Sequence, residues 1–150
     1  MVIQRIQTLC LILGIGLMVA FFFVPFGYEK LVDESTGALS LTPLKAIDIL
    51  GFIIPTAVAI LLMAMGIFMY KNMPTQKLFV VLSMLITLAE AVMVVYVIVS
   101  GSVDTDPVVK STTTWGGGGL MLIGALIVEI MAIRGISHDQ NLLRSYNRLR

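Results

Sequence analysis

The sequence predicts an all-α membrane protein, a bundle of four transmembrane helices, on three observations. The first is composition: of 150 residues, 58% are hydrophobic and 13% charged, and the mean hydropathy is +0.99. A soluble domain of this size cannot enclose that much apolar surface in one core. The second is segregation. The charges gather in clusters separated by four apolar runs, residues 6–26, 47–70, 78–100 and 116–133. Each is near the ~20 residues a helix needs to cross ~30 Å of hydrocarbon. The third is the placement of basic residues. Arg5 precedes the first run, Lys71 and Lys77 lie in the link between the second and third, and Arg134, Arg144, Arg148 and Arg150 follow the fourth. The opposite side has Lys30, Lys45 and Lys110 among five acids. Basic residues concentrate on the cytoplasmic side of a membrane, so both termini are expected there. An even number of spans agrees.

Residues 1–136 therefore form the transmembrane domain and residues 137–150 a tail. The first run is too long for a signal-peptide core, and no small-x-small cleavage site follows it. It ends in FFFVPFGY, aromatics that suit an interfacial anchor. In the second run, Asp48 is favoured near the helix N-terminus by the macrodipole, and Pro55 is expected to kink the helix. In the link KNMPTQK, Asn72 can end a helix and Pro74 cannot continue one, so helices two and three form an antiparallel hairpin. The longer outer loops hold YEKLVD and ALSLT around a turn-like ESTG, and a β-branched VVKSTTT. These predict a small β element on the outer face, with an irregular loop as the alternative. Gly116 to Gly119 lack the lysine of a phosphate-binding loop and read as a junction between loop and helix.

The tail suggests a short amphipathic C-terminal helix. Gly135 can cap the fourth helix, and Ser137 to Gln140 have capping-box spacing. Leu142, Leu143, Tyr146 and Leu149 then share one face, and Arg144 and Arg148 mark another. Such a helix lies on the cytoplasmic membrane surface with its arginines among anionic headgroups. The alternatives are a fourth helix that continues, or a helix that docks a partner.

Enzyme signatures are absent from the sequence. His138 is the one histidine and Cys10 the one cysteine. No disulfide, cysteine metal site, catalytic triad or HExxH is available within the chain. No cofactor or metal is expected. The net charge of +1 does not point to nucleic acid. Gly16 with Ala20, Gly51 with Pro55 and Ala59, and Gly116 with Leu120 and Gly124 offer faces for close helix approach. The ten methionines read as apolar filler.

The candidate chemistry is polar residues inside the spans. Ser83, Thr87 and Glu90 follow i, i+4, i+7 spacing and form one stripe on helix three. A charged acid at mid-membrane costs about 2.5–3.5 kcal/mol on insertion scales, so this stripe should face other helices. Glu90 either carries an ion or hydrogen-bonds across the bundle to fix its packing; the second reading leads. Glu129 lies about one turn from Arg134 and is expected near the interface. Helix rise then puts the two carboxyls at depths roughly 10 Å apart, which argues against a shared dyad or a joint metal site.

MVIQRIQTL at the start, YKNMPTQKL at the link and MAIRGISHDQNLLRSYNRLR at the end resemble a family of small four-span bacterial inner-membrane proteins known as a domain of unknown function. The resemblance covers essentially the whole chain. It departs from the family's more charged tail at Ser137, His138 and Gln140. It implies location in the bacterial inner membrane and a multi-pass topology, and no catalytic residues. The function expected is a non-enzymatic accessory or assembly subunit of a larger membrane complex. Its surroundings would be membrane lipid and a protein partner or further copies of itself. Arg5, Lys71, Lys77, Arg134, Arg144, Arg148 and Arg150 are the candidate contacts to partner or lipid. The alternative is a small oligomeric transporter or ion-conducting protein using Glu90.

Overall fold

The computed structural model describes residues 2–32, 39–70, 72–100 and 111–148. Four antiparallel helices form the bundle: α1 (Val2–Phe23), α2 (Leu50–Phe68), α3 (Met73–Ser100) and α4 (Gly118–Arg148). Each contains an apolar segment long enough to span a membrane: Ile6–Phe23, Leu50–Phe68, Met73–Ser100 and Gly118–Leu142. In cross-section α1 packs on α4, α4 on α3, α3 on α2 and α2 on α1, closing a four-sided ring. The chain is a multi-pass membrane protein. Its outward surface is apolar along the spans, with Leu9, Leu61, Val92 and Ile127 all exposed, as lipid contact requires.

At one end of the bundle sits a three-stranded antiparallel sheet, β1 (Gly27–Val32), β2 (Leu39–Leu44) and β3 (Ser111–Trp115), in the order β2-β1-β3. The strand-like segments of both connecting loops thus pair with each other. Tyr28 faces Pro43 on one side and Thr114 on the other. Pro43 is tolerated because β2 is an edge strand, where a missing ladder donor costs least. The proposed ESTG turn and residues 108–110 lie outside the described residues.

The helix limits differ from the sequence expectation in ways the local chemistry explains. α1 stops at Phe23, since the residue before Pro25 is driven out of the helical region. The chain then enters β1, and Phe21 and Phe26 turn into the core and are fully buried, whereas Phe23 stays exposed. The aromatics at this end therefore plug the bundle rather than all anchoring it at the interface. Asp48 lies in a 3-10 turn (Ala46–Asp48) that precedes α2, not in the helix itself. Pro74 does not end the link: it is the second residue of α3, where its missing N–H would be unsatisfied anyway. Asn72 heads α3, its carbonyl accepting from Gln76 N–H at 2.9 Å.

The largest correction is at the C-terminus. α4 runs unbroken for 31 residues to Arg148, so among the described residues the tail continues the fourth helix, one of the alternatives above, and forms no separate short amphipathic helix. Ser137 does not cap a new helix; its hydroxyl donates to Ile133 O at 2.8 Å within α4. Gly135 is likewise interior. A Cβ there would come within 3.0 Å of Gln7 Cγ, so its small size makes room for α1. Capping signals compete poorly with a continuing helix whose inner face has a neighbour to pack on. On that face Ile136 is fully buried and Asp139 nearly so, and Asp139 Oδ2 accepts from Gln7 Nε2 at 2.7 Å.

Close approach is also redistributed. Gly16 meets nothing within 4 Å, while Gly14 lies against Met63 and Gly66 against Val80. The tightest junction is at the sheet end. Gly116 N–H donates to Phe26 O at 2.7 Å and Gly118 N–H to Pro25 O at 2.9 Å. A Cβ on Gly116 would come within 2.8 Å of the Phe26 carbonyl carbon, so backbone docks directly on backbone. The junction expected from the glycine run is a docking joint for the start of α4.

Candidate functional site

Two apolar clusters fill the bundle at different heights. Toward the sheet, Met18, Phe21, Phe26, Phe52, Val94 and Leu122 belong to the larger one. Its centre is three phenylalanines with ring centroids 5.1 to 6.1 Å apart. Toward the termini, Leu11, Val80, Ala132 and Ile136 form the smaller one. On α3 the residues between Val80 and Val94 that face inward are Ser83, Thr87 and Glu90, all buried. On α4, Glu129 lies between Ala125 of one cluster and Ala132 of the other. The polar groups thus form a layer enclosed on both sides by hydrocarbon.

The i, i+4, i+7 stripe works as expected: Ser83, Thr87 and Glu90 are each at most 1% exposed. Glu90 Oε1 is in hydrogen-bond contact with Thr56 Oγ1 of α2. Thr56 Oγ1 also lies 2.6 Å from its own helix's Phe52 O. Glu129 Oε1 is 2.8 Å from Ser83 Oγ and 3.4 Å from Thr87 Oγ1. Ser83 Oγ and Thr87 Oγ1 lie 2.9 and 3.0 Å from Val80 O and Ser83 O of their own helix. The layer therefore ties α2 to α3 through one carboxyl and α3 to α4 through the other. The remaining oxygens, Glu90 Oε2 and Glu129 Oε2, are buried with no hydrogen-bond partner among the described residues.

Glu129 is placed differently from the sequence expectation. It is 1% exposed, while Arg134 is exposed on another face. The spans explain this. With apolar segments of Met73–Ser100 and Gly118–Leu142, both carboxyls fall near mid-span rather than one at the interface. No hydrogen bond joins the two carboxyls among the described residues. Thr87 is one turn from Glu90 on α3 and reaches Glu129, so the two acids share a layer. Among the described residues, no cluster of three or more His, Cys, Asp or Glu could hold a metal ion.

Sequence reasoning missed Thr56 and the pairing of Gln7 with Asp139. Thr56 carried a signal: it is the one hydroxyl in α2, LGFIIPTAVAILLMAMGIF. A lone hydroxyl in an apolar span marks an inward face. The Gln7–Asp139 pair joins residues 132 apart in sequence, and neither position announces the other. Of the basic candidates, Lys77 is half-buried and Arg134 exposed. Arg5, Arg144 and Arg148 lie on helical backbone, and Lys71 and Arg150 are outside the described residues.

A comparison with curated proteins finds no match. The family model described as a domain of unknown function (DUF4293) matches residues 3–149, which is nearly the whole chain, and so this four-span protein belongs to the DUF4293 family.

Proposed function

We propose that this protein is a non-enzymatic integral membrane protein that carries a small ion through its bundle, with Glu90 as the working group. The observation that supports this reading is the enclosed layer, in which two buried carboxyls each keep one oxygen without a partner. Apolar residues that only had to hold helices together would avoid the cost of burying such groups. The phenylalanines on one side and Leu11, Val80, Ala132 and Ile136 on the other close the layer off, as in an occluded carrier. The basic residues around the termini support a cytoplasmic placement of both ends, and the resemblance to small four-span bacterial inner-membrane proteins supports that membrane.

The test is ion movement in vesicles reconstituted with the purified full-length chain. The wild type should dissipate an imposed gradient, and Glu90→Gln should lose at least tenfold of that rate while remaining assembled. Background flux in the wild type sinks the reading. A second reading, an accessory subunit of a larger membrane complex, is favoured by the last turns of α4, where Asn141, Leu142 and Ser145 are exposed. It predicts co-migrating proteins when the native protein is extracted in mild detergent. A homo-oligomer or monomer without partners sinks it.

A further inference from the structure

We propose that the ion held in the enclosed layer is the proton, one on each of Glu90 and Glu129; this rests on the ion-carrying reading above. A Ser or Thr hydroxyl has one hydrogen to donate, and a main-chain carbonyl can only accept. Thr56 Oγ1 lies 2.6 Å from Phe52 O, close enough for its one hydrogen to lie on that line. The same oxygen touches Glu90 Oε1. Two oxygens in such contact need a hydrogen between them, and the one hydroxyl hydrogen cannot fill both lines. The geometry points to the carboxyl as the source of the second.

Ser83 repeats the arrangement on the other acid. Its Oγ lies 2.9 Å from Val80 O and 2.8 Å from Glu129 Oε1. One hydroxyl hydrogen again faces two lines, and a carboxyl hydrogen fills the other. Thr87 donates to Ser83 O at 3.0 Å, and its contact with Glu129 Oε1 is long at 3.4 Å. Two short contacts therefore need two carboxyl hydrogens, and each acid supplies one from Oε1.

This assignment also accounts for the bare oxygens. With Oε1 carrying the hydrogen, Oε2 is the carbonyl oxygen of a neutral acid. An unpartnered neutral oxygen costs far less in a low-dielectric interior than an unpartnered charged one. A metal cation would be served differently, since it needs several oxygens turned toward one point. Here the three hydroxyls are turned to their own helices' carbonyls. Among the described residues, the side-chain hydrogen-bond partners of the two acids are Thr56, Ser83 and Thr87, none of them basic. Gly14 of α1 and Thr56, Ala59 and Met63 of α2 bring no charge to this level.

The experiment is infrared spectroscopy of the full-length chain in phospholipid vesicles, in H2O and in D2O, with and without sodium at constant pH. Two carboxylic acid C=O bands should appear and shift in D2O. One should be lost in Glu90→Gln and the other in Glu129→Gln, and sodium should change neither. Thr56→Val provides a reading that keeps both acids: it should move the Glu90 band to higher frequency by removing its hydrogen-bond acceptor. Carboxylate bands in place of acid bands overturn the assignment, as does a Glu90 band that Thr56→Val leaves unmoved. Acid bands that sodium converts to carboxylate bands also overturn it, while leaving the carrier reading standing. Intact acid bands in a chain that moves no ion leave the proton assignment in place and remove the carrier.

Discussion

The aromatic plug near the sheet and the polar layer below it are built from the same helices and obey different rules. In the plug, Phe21, Phe26 and Phe52 are fully buried, with ring centroids 5.1 to 6.1 Å apart. In the layer, Glu90 and Glu129 are as deeply buried, yet each leaves an oxygen unpaired. The plug is optimised for packing. The layer gives up stability that five apolar residues would have supplied. That difference, one helical turn apart on α2 between Phe52 and Thr56, supports the proposal that the layer carries the function and the plug the stability.

Substitutions can sharpen or break this contrast. Phe52→Ala should cost the most, about 3–5 kcal/mol, from lost dispersion and a cavity in the plug. Thermal unfolding in detergent reads it, and a loss below ~1 kcal/mol would mean that the plug is not the stability centre. Gly116→Ala follows at about 1–3 kcal/mol, because its Cβ would press on the Pro25–Phe26 backbone, which cannot yield as a side chain does. Gln7→Ala should cost about 1 kcal/mol by removing the hydrogen bond to Asp139. Thr56→Val should cost only ~0.6 kcal/mol, the average for one interhelical hydrogen bond in a membrane. Smallest of all is Glu90→Gln, expected to change the midpoint of unfolding barely at all, since an amide can still donate to Thr56. Ion flux should rank these variants in nearly the reverse order. If Glu90→Gln unfolds the protein as severely as Phe52→Ala, the layer is structural and the contrast collapses.

Much of the layer was legible in the sequence. Ser83, Thr87 and Glu90 repeat at helical spacing inside an apolar run, and only one face of a helix can hold them. Glu129 was visible but misplaced, because Arg134 looked like the end of a helix that in fact continues for three or four more turns. The error had a physical origin. Polarity beyond residue 133 marks departure from hydrocarbon, and helix formation does not require hydrocarbon. Once α4 extends, the middle of the span moves toward Glu129, and an acid assigned to the interface becomes a mid-span acid.

By itself the sequence determined the membrane setting, the count of four helices, the β-forming loops and the inward stripe on helix three. These follow from composition and periodicity, which act within a segment. Tertiary structure alone decided which groups meet: Thr56 with Glu90, Ser83 with Glu129, Gln7 with Asp139, and the Gly116–Gly118 backbone with Pro25 and Phe26. Those contacts depend on helix rotation and depth, which are set by how side chains from separate segments interlock. No local pattern carries that information, because periodicity says which face turns inward and not which partner it finds there.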